Sequence, residues 1–150
     1  MDKNIVIGSR EYFPDINKVV YEGSESSNPL AFKFYNEDQM VAGKTMREHF
    51  RFSVCYWHTL CGTGGDPFGP GTKQFPWDES SDPMQASLDR LDAAFEFFTK
   101  LGVPFYCFHD RDIAPEGSSV EESENNLKTL INIAKQKQDE SGVELLWGTA

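Results

Sequence analysis

The sequence predicts an α/β protein built on a parallel sheet, on three observations. Short β-branched and aromatic runs alternate with long amphipathic ones in the order strand, helix, strand, helix, strand. Each helical run ends in a glycine, Gly102 or Gly142, that leads straight into the next apolar run. The central apolar run, Val103 to Phe108, stops abruptly in His109-Asp110-Arg111-Asp112. Polar groups placed where a buried strand leaves the core at its C-terminal end mark a candidate site in sheets of this class.

Taken in order, residues 1–50 read as an irregular approach segment. In it Tyr12-Phe13-Pro14 and Asn28-Pro29-Leu30-Ala31-Phe32 are turn-and-anchor patterns, with Pro fixing φ and the rings packing beneath the domain. A short helix is expected within Gly43 to Phe50, its His49 a surface residue. Arg51 to Trp57 alternates and is rich in strand formers, so it is expected as the first inner strand. Gly62 to Thr72 is a loop with Phe68 at its tip; it lacks the glycine order of a nucleotide-binding loop. Asp82-Pro83 opens the first long helix as N-cap and N1, and Met84, Leu88, Leu91, Phe95, Phe98 and Leu101 form one apolar stripe along it. That stripe is core packing. After the strand Val103–His109, a second helix starts at Ser118 or Ser119 with Glu121 or Glu122 closing a capping box. Its buried face is Leu127, Leu130, Ile131 and Ala134, with the surrounding lysines and carboxylates solvated. Val143 to Thr149 is the third strand.

Composition narrows the function classes. A net charge of −10 without a Lys/Arg cluster argues against nucleic-acid and anionic-membrane partners. The three cysteines, Cys55, Cys61 and Cys107, have no Cys-x-x-Cys spacing, which indicates neither a disulfide framework nor a zinc site. No apolar stretch reaches the roughly 20 residues of a membrane span, and the first ten residues carry no signal-peptide core. A reducing, cytoplasmic compartment is the default.

All of the expected strands end in something notable: Trp57-His58, then His109 and Asp112, then Trp147 and Thr149. In a doubly wound sheet or a (β/α)8 barrel, the two closures open to this alternation, those ends converge on one face. A His–Asp pair between two indoles suits a sugar, whose C–H faces pack on rings while its hydroxyls need directed polar groups.

Along nearly its whole length the chain closely resembles the xylose isomerases, specifically their longer-chain group. The stretches that carry the resemblance are Asn28-Pro29-Leu30-Ala31-Phe32-Lys33, Tyr56-Trp57-His58-Thr59, Gly65-Asp66-Pro67-Phe68-Gly69, Phe108-His109-Asp110-Arg111-Asp112 and Leu146-Trp147-Gly148-Thr149-Ala150. The resemblance implies the N-terminal portion of a TIM barrel, with residues 51–150 as its first βα units, in an enzyme that is usually a homotetramer. It implies interconversion of D-xylose and D-xylulose by a hydride shift, with D-glucose a candidate second sugar, assisted by two divalent cations (Mg²⁺, Mn²⁺ or Co²⁺).

Position by position, His109 matches the family's ring-opening histidine and Asp112 the carboxylate that orients it. Trp57 and Trp147 match the aromatic walls, Thr149 a substrate-lining position, and Phe68 the loop ring that reaches a neighbouring subunit. His58 is expected to be structural. The family's metal ligands match no position here, so no metal ligand is assigned. The isolated 150 residues are therefore expected to be inactive and poorly folded, with unpaired sheet edges. Two rivals stand beside this reading: a non-catalytic, truncated module that binds a sugar or caps a partner subunit through Phe68, and a related barrel isomerase acting on another aldose.

Overall fold

A computed structural model describes residues 4–150. The N-terminal part holds a two-residue hairpin, β1 (Met40–Val41) with β2 (Lys44–Thr45), turned by Ala42 and Gly43 at positive φ, and a one-turn helix α1 (Met46–His49). The main sheet follows: β3 (Ser53–Cys55), β4 (Phe105–His109) and β5 (Glu144–Thr149), all parallel, in the order β3-β4-β5. Its connections contain α2 (Tyr56–Thr59), a 3₁₀ turn at Pro76–Asp78, α3 (Pro83–Leu101), α4 (Asp110–Ile113) and α5 (Val120–Ser141). The strand–helix alternation expected from the sequence is therefore present as a parallel α/β sheet.

The long helices begin and end where the local chemistry dictates. The Asp82 carboxylate accepts from the Met84 N–H at 2.9 Å, Pro83 fills N1, and Gly102 at φ 79° closes α3 with its N–H on the Phe98 carbonyl. Ser119 caps α5 through the Glu122 N–H, while Glu122 reaches one residue further back, to the N–H of Ser118 at 2.7 Å. Of the α3 stripe, Leu91, Phe95 and Phe98 are fully buried, and Met84, Leu88 and Leu101 pack around them. Tyr106 of β4 lies on Phe98 and against Phe95, and its hydroxyl accepts from Gln138 of α5 at 2.8 Å. This is the helix-covered face of the sheet. Cys55 and Cys107, paired across β3 and β4, have their sulfurs 3.9 Å apart on the other face.

The approach segment is latched to α3 by polar bonds. Glu96, fully buried, accepts from the backbone N–H groups of Tyr12 (2.7 Å) and Phe13 (2.9 Å). Lys100 bridges Glu96, Glu11 and the Phe13 carbonyl. Tyr12 and Phe13 stand against Trp77, and Phe13 also against Phe97, so these rings do pack beneath the domain.

Two sequence expectations need correction. The first strand is not Arg51–Trp57 but Ser53–Cys55: β4 offers partners only for those residues, and Tyr56 onward turns into α2, where the backbone bonds internally. Lys137 is not part of a solvated face. It is buried between α5 and α3, with its ammonium 2.6 Å from Asp92.

Candidate functional site

Each side chain of the candidate site is delivered by a chain segment leaving the C-terminal end of the sheet. Trp57 sits in α2, directly after β3; His109 is the last residue of β4 and the N-cap of α4; Trp147 lies in β5. The structure brings these three together, with ring centroids 4.6 Å apart for Trp57–His109, 5.5 Å for Trp57–Trp147 and 6.1 Å for His109–Trp147.

Trp147 reaches this group because of a bulge. Tyr106 pairs with Leu145 and Cys107 with Trp147, so Leu146 is an extra residue on β5. If Leu146 were paired regularly, Trp147 would stand opposite Phe108 and on the same face as Leu145; with Leu146 bulged out it stands opposite Cys107. Thr149 is in register with His109 at the same end and is exposed.

Asp112, at the third position of α4, folds back on the N-cap. Its Oδ2 accepts from the His109 backbone N–H at 2.8 Å and contacts His109 Nδ1 at 3.0 Å. A carboxylate oxygen is only an acceptor, so Nδ1 carries the proton in that contact and the Nε2 lone pair is the free one. The two side chains are unequally exposed, 46% for His109 and 15% for Asp112. The imidazole thus meets solvent while its orienting carboxylate lies behind it, a geometry in which Nε2 can accept a proton from a bound molecule.

The rings form an open shelf and not an enclosed cavity. A cavity of about 430 Å³ lies alongside, between α4 and the start of α5, lined by Asp110, Arg111, Glu116, Ser119 and Leu127. A larger one of about 650 Å³, lined by Tyr21, Phe32, Tyr35, Phe52 and Pro104, is at the opposite, N-terminal end of β3 and β4, away from the histidine.

Phe68 is not gathered into the shelf. Its ring is 96% exposed, and the turn beneath it is built: Asp66 Oδ1 accepts from the N–H groups of Phe68 (2.8 Å) and Gly69 (3.1 Å). His58 is exposed, with its ring beside Trp57, and His49 is a surface residue bonded to the Val41 carbonyl. Among the described residues no three His, Cys, Asp or Glu side chains converge as a cation site.

Sequence reasoning missed the residues behind Asp112. Arg90 of α3 donates to the Asp112 carbonyl at 3.2 Å and to Asp78 at 2.6 Å, and Cys61 Sγ lies 3.6 Å from the same carbonyl. Burial pushes the Cys61 thiol up to about 11; Arg90 opposes that shift, and Asp112 and Asp78 reinforce it. Cys61 is therefore a neutral S–H donor near pH 7. No local pattern marks Arg90 in the sequence, because its partners Asp78 and Asp112 lie 12 and 22 residues away.

Fold and site together define an α/β protein whose parallel sheet ends in an aromatic-walled, carboxylate-oriented histidine. By sequence the chain is a homologue of the xylose isomerases along its whole length. It is 57% identical over all 150 residues to Xylose isomerase 2 of Xanthomonas campestris pv. campestris, and equally to Xylose isomerase 1 of that organism. It is 53% identical to Xylose isomerase of Xanthomonas oryzae pv. oryzae. The chain spans about a third of the length of the curated relatives it matches, 34% in each of these. No family model matches it.

Proposed function

We propose that the chain supplies the ring-opening part of an aldose–ketose isomerase acting on D-xylose, and that residues 51–150 are the first βα units of a (β/α)8 barrel entered through the segment 1–50. The observation that carries this reading is the His109–Asp112 contact of 3.0 Å set between two indoles, in a chain homologous to the xylose isomerases. Cyclic xylose must open before its C1 and C2 can exchange oxidation states. His109 Nε2 takes the proton from the anomeric O1, the bond from C1 to the ring oxygen breaks, and the proton passes to that oxygen. Asp112 holds Nδ1–H and so keeps the lone pair on Nε2. Trp57 and Trp147 pack on the sugar's C–H face and keep water from the open chain, Thr149 lies at the rim to meet a hydroxyl, and Phe68 covers the shelf of a neighbouring subunit in a homotetramer.

Among the described residues no set of His, Cys, Asp and Glu side chains fits a metal centre. In this reading the divalent cations that the resemblance implies are held outside these 150 residues.

The test uses the complete product of the gene, assayed for interconversion of D-xylose and D-xylulose with Mg²⁺, Mn²⁺ or Co²⁺ and after chelation. Activity is expected with cation and lost without it. H109N is expected to lower kcat/KM on D-xylose by about 100-fold or more and to leave glyceraldehyde, an aldose too short to cyclise, nearly unaffected. Absence of isomerisation with every cation, or an equal loss on both aldoses, overturns the ring-opening role.

A further inference from the structure

The floor of the shelf is α4, a helix of a single turn, and one turn does not stabilise itself, because nucleation fixes several residues for one internal bond. That turn nevertheless sets the distance between Asp112 and His109. At its start Asp112 closes on the His109 N–H. Its far side is held from outside.

The Asp112 carbonyl is the meeting point of two other segments. Arg90 Nη1 of α3 donates to it at 3.2 Å, and the Cys61 thiol, just beyond α2, approaches it at 3.6 Å. The second arm of the guanidinium, Nη2, donates at 2.6 Å to Asp78 of the 3₁₀ turn, which fixes the plane of the fork. Among the described residues Arg90 Nε is buried with no hydrogen-bond partner, so the guanidinium sits where the Nη1 and Nη2 bonds hold it while its third nitrogen goes unpaired. A side chain chosen only to fill space or to pair with Asp78 would not need to be an arginine buried against a backbone carbonyl.

The geometry points to Arg90 as a positioning residue for the His109–Asp112 pair, with Asp78 as the anchor of its fork. Arg90 fixes the backbone at residue 112, which holds the carboxylate in reach of Nδ1 and keeps the Nε2 lone pair aimed at the shelf. It touches no substrate in this role. The inference rests on the ring-opening reading of His109 and deepens it.

The experiment compares kcat/KM on D-xylose, which must be opened, with that on glyceraldehyde, which has no ring, in the complete gene product carrying R90M, R90K, D78N or H109N. R90M is expected to lose about tenfold on D-xylose and less than about twofold on glyceraldehyde, since misplacing a proton carrier removes part of its contribution. R90K, with one ammonium in place of a fork, is expected to fall between R90M and the unaltered protein. D78N is expected to show a smaller loss in the same direction, and its ratio decides the matter if R90M does not fold. A folded R90M with unaltered D-xylose activity, or with equal losses on both aldoses, overturns the positioning role. If H109N is selective for D-xylose while R90M and D78N are not, the clamp alone fails. If H109N is itself unselective, or neither aldose is isomerised, the ring-opening reading fails and the clamp with it.

Discussion

Buried charge in this chain is organised around residues whose partners lie far away in sequence. Glu96 is the clearest instance: a carboxylate with no solvent exposure holds two backbone N–H groups more than eighty positions upstream, together with the Lys100 ammonium. Removing one member of such a group strands the rest, so Glu96→Ala is expected to destabilise the fold by about 3–5 kcal/mol, measured by denaturant unfolding. Substitution of the exposed Glu124, paired with Lys128 at 3.7 Å on the surface of α5, is the matched control. The same distinction explains what the sequence disclosed of the site. His109 and Asp112 are three residues apart on one turn, a separation short enough for the motif that carries the family resemblance to include both, and the resemblance implied their pairing. Arg90 meets Asp112 across 22 residues and Glu96 meets Phe13 across 83, and no pattern in a single sequence reports such meetings.

The long helices were the most legible elements, because their signals are local: a capping carboxylate or hydroxyl, a proline at N1, a stripe at helical spacing and a terminal glycine. Gly142 has φ 69°, and a Cβ there would meet nothing within 4 Å, so the need for glycine is conformational and not steric. Gly142→Ala is accordingly expected to cost about 1 kcal/mol through backbone strain alone, read as a shift in unfolding midpoint without loss of the sheet. Strand length was less legible. Arg51 to Trp57 has the residue types of a seven-residue strand, but strands end where their neighbours stop offering partners, and β4 pairs with only Ser53, Val54 and Cys55. The early turn into α2 is also what takes Trp57 away from strand alternation and sets its ring 4.6 Å from that of His109.

At the scale of the whole chain, the sheet is covered on one face by α3 and α5, and β3 and β5 are its two edges among the described residues. Alternation and glycine joints made the parallel arrangement readable before any coordinates, since they reflect chain order. The count of residues along β5 was not readable, since a bulge leaves no compositional mark. That count has a consequence for which changes the protein tolerates. Because Leu146 is bulged out of the pairing, Trp147 stands opposite Cys107 on the face of His109; were Leu146 paired in its place, the indole would stand opposite Phe108 on the far side of the sheet. Deletion of residue 146 removes the bulge but leaves Trp147 opposite Cys107, so it is expected to leave the fluorescence of Trp147 unchanged, whereas one residue inserted between 146 and 147 is expected to turn that indole away from Trp57 and His109 and shift its emission. Descendants of this sequence can thus lose the residue at 146 more readily than they can gain another beside it.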